Sequence, residues 1–318
     1  MKPLKNKIAV VAGATRGAGR GIACALGEAG ALVYCTGRSV RGKRVKKRGK
    51  GQWSAFDLST RAETIEDTAE MVTRRGGKGI AVRVDHTDEA QVRKLFQKVK
   101  REQGRLDILV NDVWGGDMLT EWGKPFWELD LEKGFLMMER AVNSHIITSR
   151  YAAPLIIKQK SGLIIEITDG DKLYYRGTLF YDLVKTTAIR LAFVMAHELR
   201  KHRVASIAVT PGFLRSEAML DYFGVTESNW RDAIKKEPSF AESETPLYVG
   251  RAIAALAADP KVFEKSGRTF SSWTLAREYA FTDSDGRRPD FGKYFEEKGG
   301  DFFEEMRDSH KNFLKGFE

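Results

Sequence analysis

Two patterns in this sequence have the residue types and spacing that chemistry needs. Tyr181-Asp182-Leu183-Val184-Lys185 sets two titratable groups, a phenol and an ammonium, four residues apart, so that a helix would present them on one face, one turn apart. Gly13-Ala14-Thr15-Arg16-Gly17-Ala18-Gly19-Arg20 follows an apolar run and opens a helical pattern. Glycines at this spacing let the chain turn sharply, let its backbone approach a pyrophosphate and let the helix pack close to its strand. The helix N-terminus adds N–H groups and partial positive charge to the phosphates. Gly13, Thr15, Arg16, Gly17 and Gly19 are therefore candidate cofactor-binding residues.

The next strand ends in Cys35-Thr36-Gly37-Arg38-Ser39. An NAD site usually places an acid here for the ribose 2′-hydroxyl, and none is present. Arg38, aided by Arg16, suits a 2′-phosphate through a bidentate, charge-assisted contact. The expected cofactor is NADP(H).

The elements that must position these groups alternate between β-rich runs and helical patterns, the signature of a parallel sheet with crossover helices. Strands are expected at Lys7–Ala12, Leu32–Thr36, Ile80–Val84, Leu106–Val110, Leu163–Thr168, Ala205–Val209 and Gly267–Phe270. Helices are expected over Gly17–Ala29, from Thr60 with a Thr60-x-x-Glu63 capping box, and from Thr87 or Asp88 to Gln103. Further helices are expected over Lys133–Gln159, Leu179–Lys201 and Leu247–Ala258, with short ones at Glu217–Tyr222 and Glu227–Lys236. The fold class is α/β, a single doubly wound parallel sheet of about seven strands with helices on both faces. Residues 1–272 form this domain, residues 213–245 its substrate loop, and residues 273–318 a C-terminal extension. Phe291, Tyr294, Phe295, Phe302, Phe303, Phe313 and Phe317 would pack that tail onto the body or a second subunit.

Taken together, the glycine turn and the Tyr-x-x-x-Lys after the fifth strand resemble the short-chain dehydrogenase/reductase family over about residues 5–272. Ser266-Gly267-Arg268, Leu275-Ala276-Arg277 and Asp283-Ser284-Asp285-Gly286-Arg287 resemble the branch typified by dehydrogenase/reductase member one. The resemblance implies hydride transfer between NADP(H) and a carbonyl or alcohol. Tyr181 matches the general acid/base, and Lys185 the residue that lowers its pKa and binds the nicotinamide ribose. Asp85 matches the acid contacting adenine, and Asn111 the first Asn of Asn-Asn-Ala-Gly, here Asn111-Asp112-Val113-Trp114-Gly115. Pro211 and Gly212 match the turn beside the nicotinamide, with Ser216 at a cofactor-contacting position. Asn143 resembles the relay Asn, about two residues closer to strand five than the pattern has it.

The catalytic serine of the family is missing. Asp169, or Thr168 if the loop shifts by one, stands in its place. An ionised carboxylate about 5 Å from the phenol, at an effective dielectric near 20, repels tyrosinate by about 3 kcal/mol. Asp169 must therefore be protonated and donate as Ser would, or turn away, or the usual chemistry is impaired. The rival reading is a catalytically silent NADP(H)-binding sensor or scaffold.

Composition fits this frame. The 318 residues are 42% hydrophobic and 30% charged, ordinary for a globular chain. The net charge of +10 is concentrated early: residues 1–100 hold 22 Lys+Arg against 9 Asp+Glu, and seven of ten residues in Arg41–Lys50 are basic. Without an aromatic stacking pattern that run reads as a solvated loop, not a nucleic-acid site. Apolar runs such as Leu163–Ile167 and Ala252–Ala258 fall short of the ~20 residues a membrane span needs. Cys24 and Cys35 make no disulfide framework, and no His/Cys/acid cluster implies a metal; His197 and His202 read as surface or capping groups. A cytoplasmic setting and a homo-oligomer, dimer or tetramer, are expected. Phe213, Leu214, Met219, Leu220, Tyr222, Phe223 and Trp230, with Trp114, Trp122, Phe126 and Trp127, would line a site for an apolar substrate.

Overall fold

The computed structural model describes residues 2–42 and 54–316, and the side chains of Asp301, Phe302 and Phe303 are outside that description. Most of the basic run Arg41–Lys50, and Phe317, lie outside the described residues.

Seven strands form one sheet: β1 (Ile8–Ala12), β2 (Leu32–Gly37), β3 (Lys78–Arg83), β4 (Ile108–Asn111), β5 (Gly162–Ile167), β6 (Val204–Thr210) and β7 (Thr269–Ser271). Their order is β3-β2-β1-β4-β5-β6-β7, and every pairing is parallel. Chain order reverses between β1 and β4, where Ala12 pairs with both Thr36 and Asn111. The crevice beyond the carboxyl ends of such strands is where α/β sheets bind ligands.

Period-two alternation splits the strand residues between two cores. Ala9 and Val11 face α1 (Gly17–Glu28) and α8 (Pro246–Ala258), through Ile22, Leu26, Val249 and Ile253. Ile8 and Val10 face α3 (Glu89–Gln103) and α5 (Ser144–Ile156), through Val92, Leu95, Phe96 and Leu155. Between α1 and α8 the backbones nearly touch: a Cβ on Gly21 would lie 1.9 Å from the Pro246 carbonyl oxygen.

Two element boundaries differ from expectation for physical reasons. The second helix, α2, spans Ile65–Arg74, and its capping box is Thr64 with Asp67, not Thr60 with Glu63. Both pairs fit the pattern, but Thr64 directly precedes the apolar stripe Ile65, Ala69 and Val72, while Glu63 is held by Arg61. The long helix expected at Lys133–Gln159 is α4 (Leu131–Met138), one π-helical turn at Glu139–Asn143, then α5 and a closing 3₁₀ turn. The π turn adds a residue to one turn and so rotates α5 relative to α4.

Around the cleft stand α6 (Leu179–Leu199), α7 (Glu217–Phe223) and α9 (Ser272–Tyr279), followed in the tail by α10 (Phe291–Lys298) and α11 (Gly300–Lys315). Phe291 packs on Phe213 and Phe295, whereas Phe313 is exposed. Among the described residues no helix is long and apolar enough to cross a membrane.

Candidate active site

A cleft of about 2550 Å³ opens at the carboxyl ends of the strands. The turn after β1 forms one wall. A Cβ on Gly13 would lie 2.4 Å from the Asp112 carbonyl oxygen, and one on Gly19 would lie 2.3 Å from the Gly13 carbonyl oxygen. Only glycine fits there, and Gly13 and Gly17 also take positive φ. Arg16, the residue before α1, supplies no side-chain cap to the helix. The Gly17 N–H instead donates to the Glu217 carboxylate at 2.8 Å, and Arg20 meets that carboxylate at 3.1 Å. An anion already rests on this helix N-terminus, so the turn fits a phosphate oxygen.

Beyond the turn, Arg16 Nη2 donates to Ser39 Oγ at 3.3 Å, while its Nε lies 3.5 Å from the Glu63 carboxylate. Arg38, about half exposed, lies 3.6 Å from Asp85. Burial raises the Asp85 carboxyl, but hydrogen bonds from Thr87 and the Arg38 charge outweigh it and hold the carboxyl below its ordinary value. Two guanidiniums and the Ser39 hydroxyl thus frame the end of β2, a donor set suited to a 2′-phosphate. Gly17, Thr15, Ser216, Pro211 and Gly212 line the cleft between this corner and α6.

At the other end, Tyr181 Oη donates to Asp169 Oδ2 at 2.7 Å. Burial, then the Asp169 charge, pushes the phenol well above its ordinary value. The resemblance implied a phenol lowered by Lys185. Instead the Lys185 ammonium lies 4.0 Å from the Trp114 ring centre and 5.4 Å from that of Tyr181, and its own pKa is lowered by burial. Trp114 and Trp122 flank the Tyr181 ring with centroids 5.6 and 5.1 Å away.

The short chain dehydrogenase family model matches residues 42–223, more than half of the chain. The chain is 34% identical to mouse dehydrogenase/reductase SDR family member 1 over 90% of its own length and 85% of the relative's. The human protein of the same name is 33% identical with the same coverage. The chain belongs to the short-chain dehydrogenase/reductase family. Solved structures agree on the fold. A short chain dehydrogenase from Mycobacterium thermoresistibile superposes with a TM-score of 0.71 at 21% identity, covering 91% of this chain and 92% of the other. A hydroxysteroid dehydrogenase from Escherichia coli gives 0.65 at 22% identity, covering 85% and 96%. Membership in this family of dehydrogenases and reductases brings a nicotinamide cofactor.

Other members of the expected site sit elsewhere in this short-chain dehydrogenase/reductase. Thr168 is buried, its hydroxyl donating to the Lys185 carbonyl at 2.7 Å, so the oxygen presented to Tyr181 is that of Asp169. Asn143 is the last residue of the π turn, where its side chain is exposed, and it does not line the cleft. Asn111 is buried below the cleft, donating to Glu166 at 2.7 Å and Ser149 at 2.9 Å; Asp112 lines the cleft instead. Glu166 also meets His145 Nδ1 at 2.7 Å, and His145 Nε2 faces the Val113 carbonyl at 3.1 Å. This buried network braces the turn after β4. Asp112 itself accepts from the Gly19 N–H, and burial pushes its carboxyl up to about 7.

Of the expected substrate lining, Trp114, Trp122, Phe213, Leu214 and Met219 face the cleft. Trp230 and Phe223 form a separate core with Phe240, and Leu220 packs against it. Tyr222, Phe126 and Trp127 are exposed. Residues that sequence reasoning missed include Tyr174, Tyr175, Phe295, Met306 and His310. The tail reaches the site because the Leu173 N–H donates to His310 Nδ1 and the Tyr175 N–H to Ser309 Oγ, both at 3.2 Å. Phenylalanine enrichment in the tail was the signal available.

Proposed function

We propose that this protein is an NADP(H)-dependent oxidoreductase acting on the carbonyl or alcohol carbon of an apolar small molecule. The observation that carries this reading is the Tyr181–Asp169 hydrogen bond at one end of a cleft whose other end is the glycine turn with Arg16 and Arg38. When bound, the nicotinamide supplies or accepts the hydride. Tyr181 holds the proton that a carbonyl oxygen needs on reduction, and its raised pKa keeps that proton in place at neutral pH. Lys185, tucked against Trp114, offers positive charge beside the phenol. Asp169, on the Tyr181 hydroxyl, stands in the place of the family's serine. Arg16, Arg38 and Ser39 favour the phosphorylated cofactor.

The test measures NADPH and NADH oxidation against a panel of apolar carbonyls, with cofactor affinity determined beside it. Tyr181→Phe should lower turnover by about 10²–10⁴-fold while NADPH affinity stays within about threefold. Arg38→Ala should reduce the preference for NADPH over NADH by about tenfold or more. Tight NADPH binding with no turnover in wild type or variant would make the protein a silent binding protein instead. A wild-type preference for NADH would overturn the cofactor assignment.

A further inference from the structure

At the Tyr181 hydroxyl stands a carboxylate, where the family has a neutral serine. Asp169 accepts the phenolic hydrogen and is exposed to the cleft. Asp117 approaches from the β4 side, held by Trp114 Nε1 at 2.8 Å, and Asp171 lines the same wall. Tyr174, from the Asp169 loop, stays protonated, because burial and then the Asp169 charge push its phenol up; Asp112 and Lys172 also line this part of the cleft. Among the described residues Arg176 and Lys185 bring positive charge near this group, and after burial the Asp169 charge is the first to act on Lys185. Arg176 is buried and donates to the carbonyls of Asp169, Lys172 and Tyr174 and to the Asp182 carboxylate. The Lys185 ammonium sits over the Trp114 ring.

A carboxylate at the reacting end of the cleft opposes an oxygen that gains negative charge and attracts a nitrogen that bears positive charge. Indole faces close to the same point attract cations as well, and Trp122, largely exposed, lies against Tyr181 with its ring free to meet a ligand.

We propose that the preferred substrate of this site is a protonated imine, an iminium ion on an apolar ring system, whose N–H donates to Asp169 and whose body lies against Trp114 and Trp122. This rests on the reading above that the cleft holds a reduced nicotinamide beside Tyr181. The step balances without a proton from the protein. The iminium carbon gains the hydride and its electron pair, the C=N π pair collapses onto nitrogen, and a neutral amine leaves with the cofactor oxidised. Asp169 accepts the imine N–H before transfer and gives up no proton in the step.

The full-length protein with NADPH is assayed near neutral pH against the cyclic imine 3,4-dihydroisoquinoline and the ketone 2-tetralone. Wild type should favour the imine by at least about tenfold in kcat/KM, and Asp169→Ser should invert this, raising ketone and lowering imine turnover for a swing of about a hundredfold. Calorimetric binding to wild type with NADP⁺ gives a readout that needs neither turnover nor the variant. The ammonium 1,2,3,4-tetrahydroisoquinolinium should bind at least about tenfold tighter than isochroman, its neutral oxygen isostere. Equal binding of the two, a ketone preference in wild type, or both substrates moving together in Asp169→Ser would overturn the proposal and leave the carbonyl reading standing. No turnover of either compound by either protein, with NADPH still bound, would sink the oxidoreductase reading along with it.

Discussion

A phenol donating to a carboxylate stands at one end of the cleft, and the pairing restricts what Tyr181 can do. Burial and the Asp169 charge both oppose ionisation of the phenol, so Tyr181 is a proton donor at neutral pH and a poor base. On the reading proposed above, carbonyl reduction places growing negative charge on a substrate oxygen beside this carboxylate. Asp169→Asn keeps the shape and removes the charge, so kcat/KM for a ketone should rise by about tenfold. The measurement is kcat/KM for one ketone in both proteins at neutral pH; an unchanged or lower value would show that the Asp169 charge does not oppose the reaction. Thr168 has no part in this expectation, since its hydroxyl is tied to the Lys185 carbonyl.

Between elements, the contact to watch is α7 against the start of α1. Glu217, in the first turn of α7, puts its carboxylate on the Gly17 N–H, where the glycine turn attracts a phosphate oxygen. A cofactor phosphate bound as proposed would compete with Glu217 for that position, and α7 belongs to the segment after β6 that lines the cleft. Glu217→Gln removes the charge and keeps the shape, so NADPH should bind about fivefold tighter, equivalent to about 1 kcal/mol. Unchanged or weaker affinity in a titration would mean that Glu217 supports the turn rather than occupying the phosphate seat. This contact joins residues 200 positions apart and left no mark in the local pattern. What was readable is what neighbours along the chain decide: the strand–glycine–helix opening, Tyr181 and Lys185 one turn apart, and the seven β-rich runs, each found within a few residues of its expected bounds. The boundary of α2 misled because two Thr-x-x-acid patterns overlap, and only packing of Ile65 chooses between them. Asn111 misled because a buried Glu166 on the neighbouring strand claims its amide, and a lone glutamate in an apolar run announces no partner. Tail residues such as His310 and Phe295 reach the cleft through contacts that no periodicity encodes.

At the scale of the whole molecule, Glu244, Asp112 and His86 are buried groups whose shifts bear on stability between about pH 5 and 8, and they do not act in the same direction. Glu244 accepts from the Gly212 N–H at 2.9 Å and from the Ser272 hydroxyl, joining the turn after β6 to α9. Burial pushes its carboxyl up to about 8 and that of Asp112 up to about 7. His86, between Thr36 and Thr148, is pushed down to about 3 by burial. For the two acids the folded protein keeps protons that the unfolded chain has released, so their contribution is whole at low pH and is lost as pH rises, through about 8 for Glu244 and about 7 for Asp112. For His86 the unfolded chain binds a proton that the folded protein refuses, so stability is lost as pH falls below the ordinary histidine value of about 6.5. Above that value His86 is silent, and between about 7 and 8 Glu244 is the group of the three that still holds its proton. Each such proton tilts stability by at most about 1.4 kcal/mol per pH unit. Thermal unfolding from about pH 5 to pH 8 should therefore show Tm falling with pH in the wild type, and Glu244→Gln should flatten the upper part of that fall. Glutamine retains an acceptor for the Gly212 N–H and the Ser272 hydroxyl, so any cost of the substitution shifts the whole curve while the slope reports the proton alone. Curves that run parallel to pH 8 would mean that Glu244 is already ionised in the folded protein.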